Sequence, residues 1–428
     1  MPATDRAMTP TVHLVEIAPG ISVRVGDCRI GMREMHGGSA HCCVTSPPYF
    51  GHRAYGVKAV AWPALDYAPM PGLPMIRVEA MECVLGEEST LEAYVAHLIL
   101  ALREVRRVLR SDGVMWLNLG DTYAQRGSLR ESGLDDKQQI GVPWRVAWAL
   151  QADGWMLRAD IVWSKPNPMP SPVNDRPTSA HEFVFLFSKG ADYFYDADAI
   201  REAHVDARKV KHGKGAMRGQ RALRPTTERG IDDVSRRYNP AGRNARDVWT
   251  VSPDPFKGDH FAVMPSRLVR PCVLAGTSER GCCPACGAPW TREVERTAMV
   301  VREGPSRRAT RKAAGDGSSS RTACTGTMLE PPTRRTVGWA PSCECPKHDP
   351  VPCTVIDPFG GSATTGAVAT WFGRRAILCE MGESFIAEMP RRIREVHRLL
   401  KRESGVVLAM EPAHATRDDG ELPLLARG

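Results

Sequence analysis

Apolar residues at helical spacing mark one stretch above all: Leu91, Tyr94, Val95, Leu98, Leu102, Val105 and Leu109 recur three or four apart, which puts them on one face of a long helix. Ser89 with Glu92 reads as a capping box before it, and Ser111-Asp112-Gly113 as its stop. Short apolar runs closed by turn residues predict strands at Ile21–Gly26, His41–Thr45, Val114–Leu119, Leu157–Trp163, Glu182–Phe187, Val355–Ile356 and Ala376–Leu378. Helices are expected at Trp144–Gln151, Phe261–Ala275, Ser362–Trp371 and Glu383–Arg402. Strand and helix alternate, so the pattern predicts an α/β domain with a largely parallel sheet covered on both faces. Met1–Pro10 and Glu403–Gly428 read as frayed ends, and Ala313–Ser320 as a flexible loop.

Composition narrows the class. With 428 residues and 42% hydrophobic content the chain can bury a full core and carry smaller modules. No run of about 18 apolar residues is present to span a bilayer, and Met1–Gly20 has no charged start followed by an apolar run, so a cytoplasmic protein without a membrane partner is expected. The 13 cysteines are odd in number and unevenly placed, which favours reduced thiols or metal ligands over bridges. Arg201–Arg246 holds 13 Lys or Arg against 5 Asp or Glu, an excess equal to the net charge of the whole chain, +8. Such a run is either a solvated insertion or a phosphate-contacting surface.

Three segments carry chemistry. Asp357-Pro358-Phe359-Gly360-Gly361-Ser362 is a glycine turn between a strand and a helix, where backbone approaches a ligand closely and free N–H groups face it. One strand later Glu380 stands where a carboxylate can accept from a ribose diol. Thr45-Ser46-Pro47-Pro48-Tyr49-Phe50 follows a buried strand. Its prolines fix the backbone, so the Ser46 hydroxyl and the Pro47 carbonyl can accept the two protons of a planar amine while Tyr49 stacks on the ring. Cys283-Pro284-Ala285-Cys286 is a CxxC knuckle, and with Cys343 and Cys345 it can complete a four-thiolate structural zinc site. Cys282, Cys324, His348 and Cys353 are substitute ligands.

The amine turn, the glycine turn and their order resemble the β-class amino-methyltransferases of DNA, phage and prophage type, over about Ile21 to Arg402. The resemblance implies a Rossmann-like S-adenosylmethionine-dependent methyltransferase sheet with circularly permuted motif order, a basic insert and a zinc-ribbon-like insert. It divides the chain into a catalytic half (11–200), a basic target-recognition insert (201–250), a cofactor-covering helix region (251–280), a cysteine-rich insert (281–350), a cofactor-binding half (351–402) and a tail (403–428). The family's cofactor loop is matched by Asp357, Pro358, Phe359, Gly361, Ser362, Thr364 and Thr365, with Ala363 in place of the second glycine, and alanine tolerates positive φ poorly.

Asp27 and Thr45, the acid Glu380, and His260 with Phe261 are further cofactor positions that the resemblance implies, and Ser46, Pro47, Pro48 and Tyr49 are the catalytic ones. Asp121, Asn167 and His181 are candidates for the base pocket. Arg236, Arg237, Arg243 and Arg246 are expected to contact double-stranded DNA, from which the target base must be flipped. In this family serine at position 46 goes with N4 of cytosine more often than with N6 of adenine, which remains the alternative. A catalytically silent zinc-containing DNA-binding protein is the rival of another class. A cognate restriction endonuclease as partner, the oligomeric state and the recognition sequence stay open.

Overall fold

The computed structural model describes residues 12–51, 56–125, 133–170, 172–202, 242–254, 263–296, 300–302, 327–330, 334–346 and 348–408. Along the chain lie β1 (His13–Ala18), β2 (Ile21–Val25), α1 (Cys28–Arg33), β3 (Ala40–Thr45), β4 (Val60–Trp62), β5 (Leu65–Tyr67), β6 (Ile76–Val78), β7 (Met81–Cys83), α2 (Leu91–Val108) and β8 (Leu109–Leu119). Then follow α3 (Val142–Ala152), β9 (Met156–Ser164), β10 (His181–Ser188), β11 (Val248–Thr250), α4 (Ser266–Gly276), β12 (Trp290–Arg296), β13 (Val300–Arg302), β14 (Thr327–Glu330) and β15 (Arg334–Pro341). The chain returns to the sheet through β16 (Thr354–Asp357), α5 (Thr364–Trp371), β17 (Arg375–Glu380) and α6 (Glu383–Leu408).

One nine-stranded sheet in the order β1-β2-β17-β16-β3-β8-β10-β9-β11 organises the molecule. Its centre, β2 to β8, is parallel, as the alternation of strand and helix predicts. The flanks are not: β1 pairs antiparallel with β2, and β10 runs antiparallel to both β8 and β9. Strand residues alternate between two cores. Cys43, Met115, Leu117, Phe185 and Ile356 face α1, α2 and α3, whereas Cys42, Val44, Trp116, Leu186 and Val355 face α4, α5 and α6. The helical face read from the sequence is buried on the first side, where Leu98, Leu102 and Val105 are fully enclosed, each side chain contributing about 1.5–3 kcal/mol.

Several boundaries differ from the sequence reading. Thr90 caps α2, its hydroxyl accepting from the Ala93 N–H at 3.2 Å, so Ser89 is not the cap. Ser111-Asp112-Gly113 lies inside β8, because the helix gives way at Leu109 to extended backbone. The helix expected at 261–275 is α4, beginning at Ser266, and α6 carries the expected last helix on to Leu408. His13–Ala18, α1 and the small hairpins of residues 60–83 were not foreseen.

Among the described residues of the basic insert, the two ends meet side by side, and β11 beyond them joins the sheet next to β9. Glu202 and Arg243 exchange backbone hydrogen bonds at 2.9 Å in both directions, which places their Cα atoms about 5.5 Å apart. Replacing residues 204–240 with a linker of about four residues is some three halvings of the loop, lowering the closure cost by about 2 kcal/mol. The shortened protein is expected to fold and to melt at or above the parent temperature; a molten or insoluble product in circular dichroism and thermal melts would show that the insert helps hold the sheet.

Candidate active site

Parallel strands end on one edge of the sheet, and the predicted residues gather there. Asp27 follows β2, Glu380 ends β17, Asp357 ends β16, Thr45 ends β3 and Ser46 follows it. Between β16 and β3 the order of strands reverses, and this is where α/β sheets open a crevice for ligands. Asp357 is buried there and holds the edge together. It accepts from Thr45 Oγ1 at 2.6 Å, Thr365 Oγ1 at 2.8 Å and the Phe359 N–H at 3.1 Å. Burial pushes its carboxyl up to about 6 against those three donors.

Glu380 is in a similar state. Its carboxylate accepts from the backbone N–H groups of Gly361, Met381 and Gly382 at 2.7–2.9 Å, and burial still raises it to about 7. Gly26 N donates to the Glu380 carbonyl at 2.8 Å, bringing Asp27 to the same edge. Asp27 caps α1 and grips Arg29, accepting from Arg29 N at 2.8 Å and from its guanidinium. In the glycine turn, Gly360 has no room for a side chain, since a Cβ there would stand 2.9 Å from that of Leu378. Ala363 adopts the left-handed conformation, φ 65° and ψ 26°, so the turn keeps its shape without the second glycine.

The turn that follows β3, the candidate catalytic turn, is held from several sides. Tyr94 Oη donates to the Pro48 carbonyl at 2.9 Å. Gly86 packs beneath the turn, where a Cβ would meet the Tyr49 carbonyl at 3.0 Å. The Gly86 N–H donates to Glu88 at 2.7 Å, and Glu88 in turn lies 2.9 Å from His97 Nδ1, both side chains fully buried. Tyr49 packs over Gly120 and reaches across to β8 and β10: its hydroxyl donates to Glu182 Oε2 at 2.8 Å and lies 3.1 Å from Asn118 Oδ1, and Ser46 Oγ donates to it at 3.2 Å.

Asn118, Glu182 and Lys165, which pairs with Glu182, were not among the candidate site residues, although Asn118 lies in the expected strand Val114–Leu119 and Glu182 opens the expected strand Glu182–Phe187. The signal was a polar residue at the end of an apolar strand. Of the three base-pocket candidates, Asp121 is committed to the start of α3, accepting from Gly141 N and Val142 N at 3.2 and 2.9 Å, while Asn167 and His181 are exposed.

The thiols of Cys283, Cys286, Cys343 and Cys345 converge, their Sγ atoms all within 4.8 Å of one another. Tetrahedral thiolates about 2.3 Å from one ion would stand about 3.8 Å apart. Backbone N–H groups of Cys286 and Ala285 hold the Cys283 thiol down to about 7, whereas contact with Cys286 and Cys343 pushes Cys345 up to about 12. Of the substitute ligands, Cys282 and Cys353 group instead with His41, His348 is exposed, and Cys324 lies outside the described residues. His260, Phe261, Arg236 and Arg237 also lie outside them. Arg243 and Arg246 both pair with Glu202, at 2.9 and 3.0 Å, across the base of the insert.

Comparison with known proteins places this arrangement. The sequence model of a DNA methylase family, the N6/N4 methylases, matches residues 40–283. The type II methyltransferase M.Cfr9I of Citrobacter freundii is 35% identical over 276 residues, 60% of this chain and 73% of its own. M.SmaI of Serratia marcescens is 35% identical over 275 residues, covering 60% and 75%. Among solved structures, a PvuII DNA methyltransferase (cytosine-N4-specific) aligns over 90% of this chain and 93% of its own at 15% identity, with a TM-score of 0.46.

Ala363 offers a test of the turn. Left-handed backbone costs an L-residue about 1–2 kcal/mol, but Ala363 is fully buried, so glycine would relieve that strain while losing about 0.8 kcal/mol of methyl burial and about 0.5–1 kcal/mol to chain entropy. Ala363→Gly is expected to change stability by less than about 1 kcal/mol. Ala363→Val adds a branched, overpacked side chain and should cost about 2 kcal/mol or more. Equal unfolding midpoints in urea for the two variants would contradict this geometry.

Proposed function

We infer that this chain, which belongs to the N6/N4 family of DNA methylases, transfers a methyl group from S-adenosylmethionine to the N4 amine of a flipped cytosine. The protein is a site-specific DNA methyltransferase; the cofactor assignment in residue detail and the choice of base are the proposal. One observation carries it: the 2.6 Å hydrogen bond from Thr45 to Asp357 sets the amine turn and the glycine turn side by side.

The residues fit the cofactor on physical grounds. Asp357 and Glu380 are neighbouring carboxylates that burial drives toward neutrality, and a cationic ligand with a vicinal diol relieves that cost. Glu380 would take the ribose hydroxyls, Asp27 the adenine end, and the turn from Asp357 to Thr364 the remainder. Bound there, S-adenosylmethionine supplies a methyl group activated by its sulfonium. The protein's part is to hold the amine: Ser46 Oγ and the Pro47 carbonyl accept its two protons, favouring a pyramidal nitrogen whose lone pair points along the line of attack. No strong base is needed before the methyl arrives. Ser46 favours cytosine over adenine as the target.

The basic segment 201–250 is the proposed DNA-reading insert, with Arg243 and Arg246 at its foot. Arg236 and Arg237 are its candidate phosphate contacts. The four-cysteine cluster is proposed to hold one structural zinc, which would share the negative charge of thiols that cannot all ionise alone. No helix among the described residues is long and apolar enough to cross a membrane, and a cytoplasmic location near DNA suits this reading.

Ser46→Ala should keep S-adenosylmethionine binding in calorimetry while slowing methyl transfer on the order of 100-fold, whereas Asp357→Ala should lose cofactor binding. Nucleoside digestion of wild-type product and mass spectrometry should show N4-methylcytosine; N6-methyladenine alone would reverse the choice of base, and no methylated nucleoside on any DNA would sink the reading. Elemental analysis should find about one zinc per chain, lost together when Cys283 and Cys286 are replaced by serine; a metal-free, folded and active wild type would dismiss the zinc.

A further inference from the structure

Serine hydroxyls are ambivalent, since each can donate or accept. To hold an amine proton, Ser46 must present a lone pair and send its own hydrogen elsewhere. The structure shows where that hydrogen goes. Ser46 Oγ donates to Tyr49 Oη at 3.2 Å, and the groups beyond the tyrosine are acceptors. One is the Glu182 carboxylate, 2.8 Å away, which when ionised has no proton to give. The other is Asn118 Oδ1 at 3.1 Å, whose orientation is fixed because the Asn118 amide nitrogen donates to the Phe183 carbonyl at 3.1 Å and to Glu182 Oε2 at 3.1 Å. Lys165 pairs with the far oxygen, Glu182 Oε1, and its Nζ lies 4.4 Å from the centre of the Trp163 ring, so the carboxylate is held from its other side.

We propose that Glu182, with Asn118 and Lys165, is a positioning residue that sets the polarity of the catalytic turn: acting through Tyr49, it commits the hydroxyl hydrogens in the direction Ser46 to Tyr49 to Glu182 and leaves Ser46 Oγ as an acceptor facing the target amine. This rests on the reading of Ser46 as an amine acceptor given above. It also gives Tyr49 a second task besides stacking, and gives Gly120 a reason to lack a side chain, because a Cβ there would stand 2.6 Å from Tyr49 Cε2 and push the hydroxyl off its acceptors. A purely structural ion pair would need its charges and its packing, but not this direction of donation.

Glu182→Gln tests the direction with little change of shape. Lys165 beside Oε1 would draw the amide oxygen, so the amide NH2 would take the place of Oε2 and donate toward Tyr49, removing the tyrosine's strongest acceptor. Single-turnover methyl transfer from S-adenosylmethionine to unmodified genomic DNA is expected to slow at least tenfold in Glu182→Gln and in Tyr49→Phe, with cofactor and DNA dissociation constants and melting temperature unchanged. Glu182→Asp, which keeps an acceptor-only group, should retain more of the rate than Glu182→Gln. In a Ser46→Ala background neither Glu182→Gln nor Tyr49→Phe should slow the reaction further, because both act through the lost hydroxyl. Wild-type rate in Glu182→Gln, an equal loss in the aspartate and glutamine variants, or a full additional loss in the Ser46→Ala background would overturn the proposal. Full activity of Ser46→Ala itself would instead overturn the amine-acceptor reading on which it stands. If Glu182→Gln melts early, Tyr49→Phe, which leaves the Glu182–Lys165 pair intact, carries the same comparison.

Discussion

A buried carboxylate joins two pieces of chain that are 312 residues apart: Asp357 receives the Thr45 hydroxyl at one oxygen and the Thr365 hydroxyl at the other. Everything at the site depends on that junction. Thr45 is the last residue of β3 and Asp357 the last of β16, so the bond fixes the relative height of two neighbouring strands at the point where each turns away. Buried polar groups this close are tolerable only when fully partnered, and here the partners come from the catalytic turn, the glycine turn and α5. The same bond that satisfies an interior acid therefore sets the turn proposed to hold the amine beside the loop proposed to hold the methyl donor.

Much of this was legible in the sequence, for physical reasons. Buried parallel strands read as short apolar runs closed by glycine or a polar residue, and the helix at Leu91 showed an unbroken apolar face, so the centre of the sheet and its flanking helices could be placed. The four cysteines could be grouped because a CxxC knuckle has few other uses. What was hidden was direction and distance. A local run does not say whether its neighbour is antiparallel, so β10 and β9 were counted with a parallel sheet. The hairpins of residues 60–83 have strands of three residues, too short to show a period. Glu182 and Asn118 were missed because their partners, Tyr49 and Phe183, lie far along the chain, and Glu88 because its partner His97 is a polar residue on an apolar helix face.

The cysteine insert is tied to the same junction from below. His41, on β3, places Nε2 2.9 Å from the Gly287 carbonyl of the knuckle, while its Nδ1 accepts from the Thr354 N–H that opens β16. Arg110 donates to the Cys286 carbonyl at 2.6 Å. With both ring nitrogens engaged, His41 is a spacer between the knuckle and the two central strands.

The closure of the basic insert at Glu202 and Arg243 has a consequence for how such enzymes diversify. Where the two ends of a segment adjoin, its length enters the closure free energy only logarithmically. Lineages can therefore lengthen, shorten or exchange it while Asp357, Ser46 and Glu380 stay where they are. On the proposed reading of that segment as the DNA-reading part, target preference and the residues of the sheet edge would then drift at different rates within one gene, the first by whole-segment replacement and the second by single substitutions.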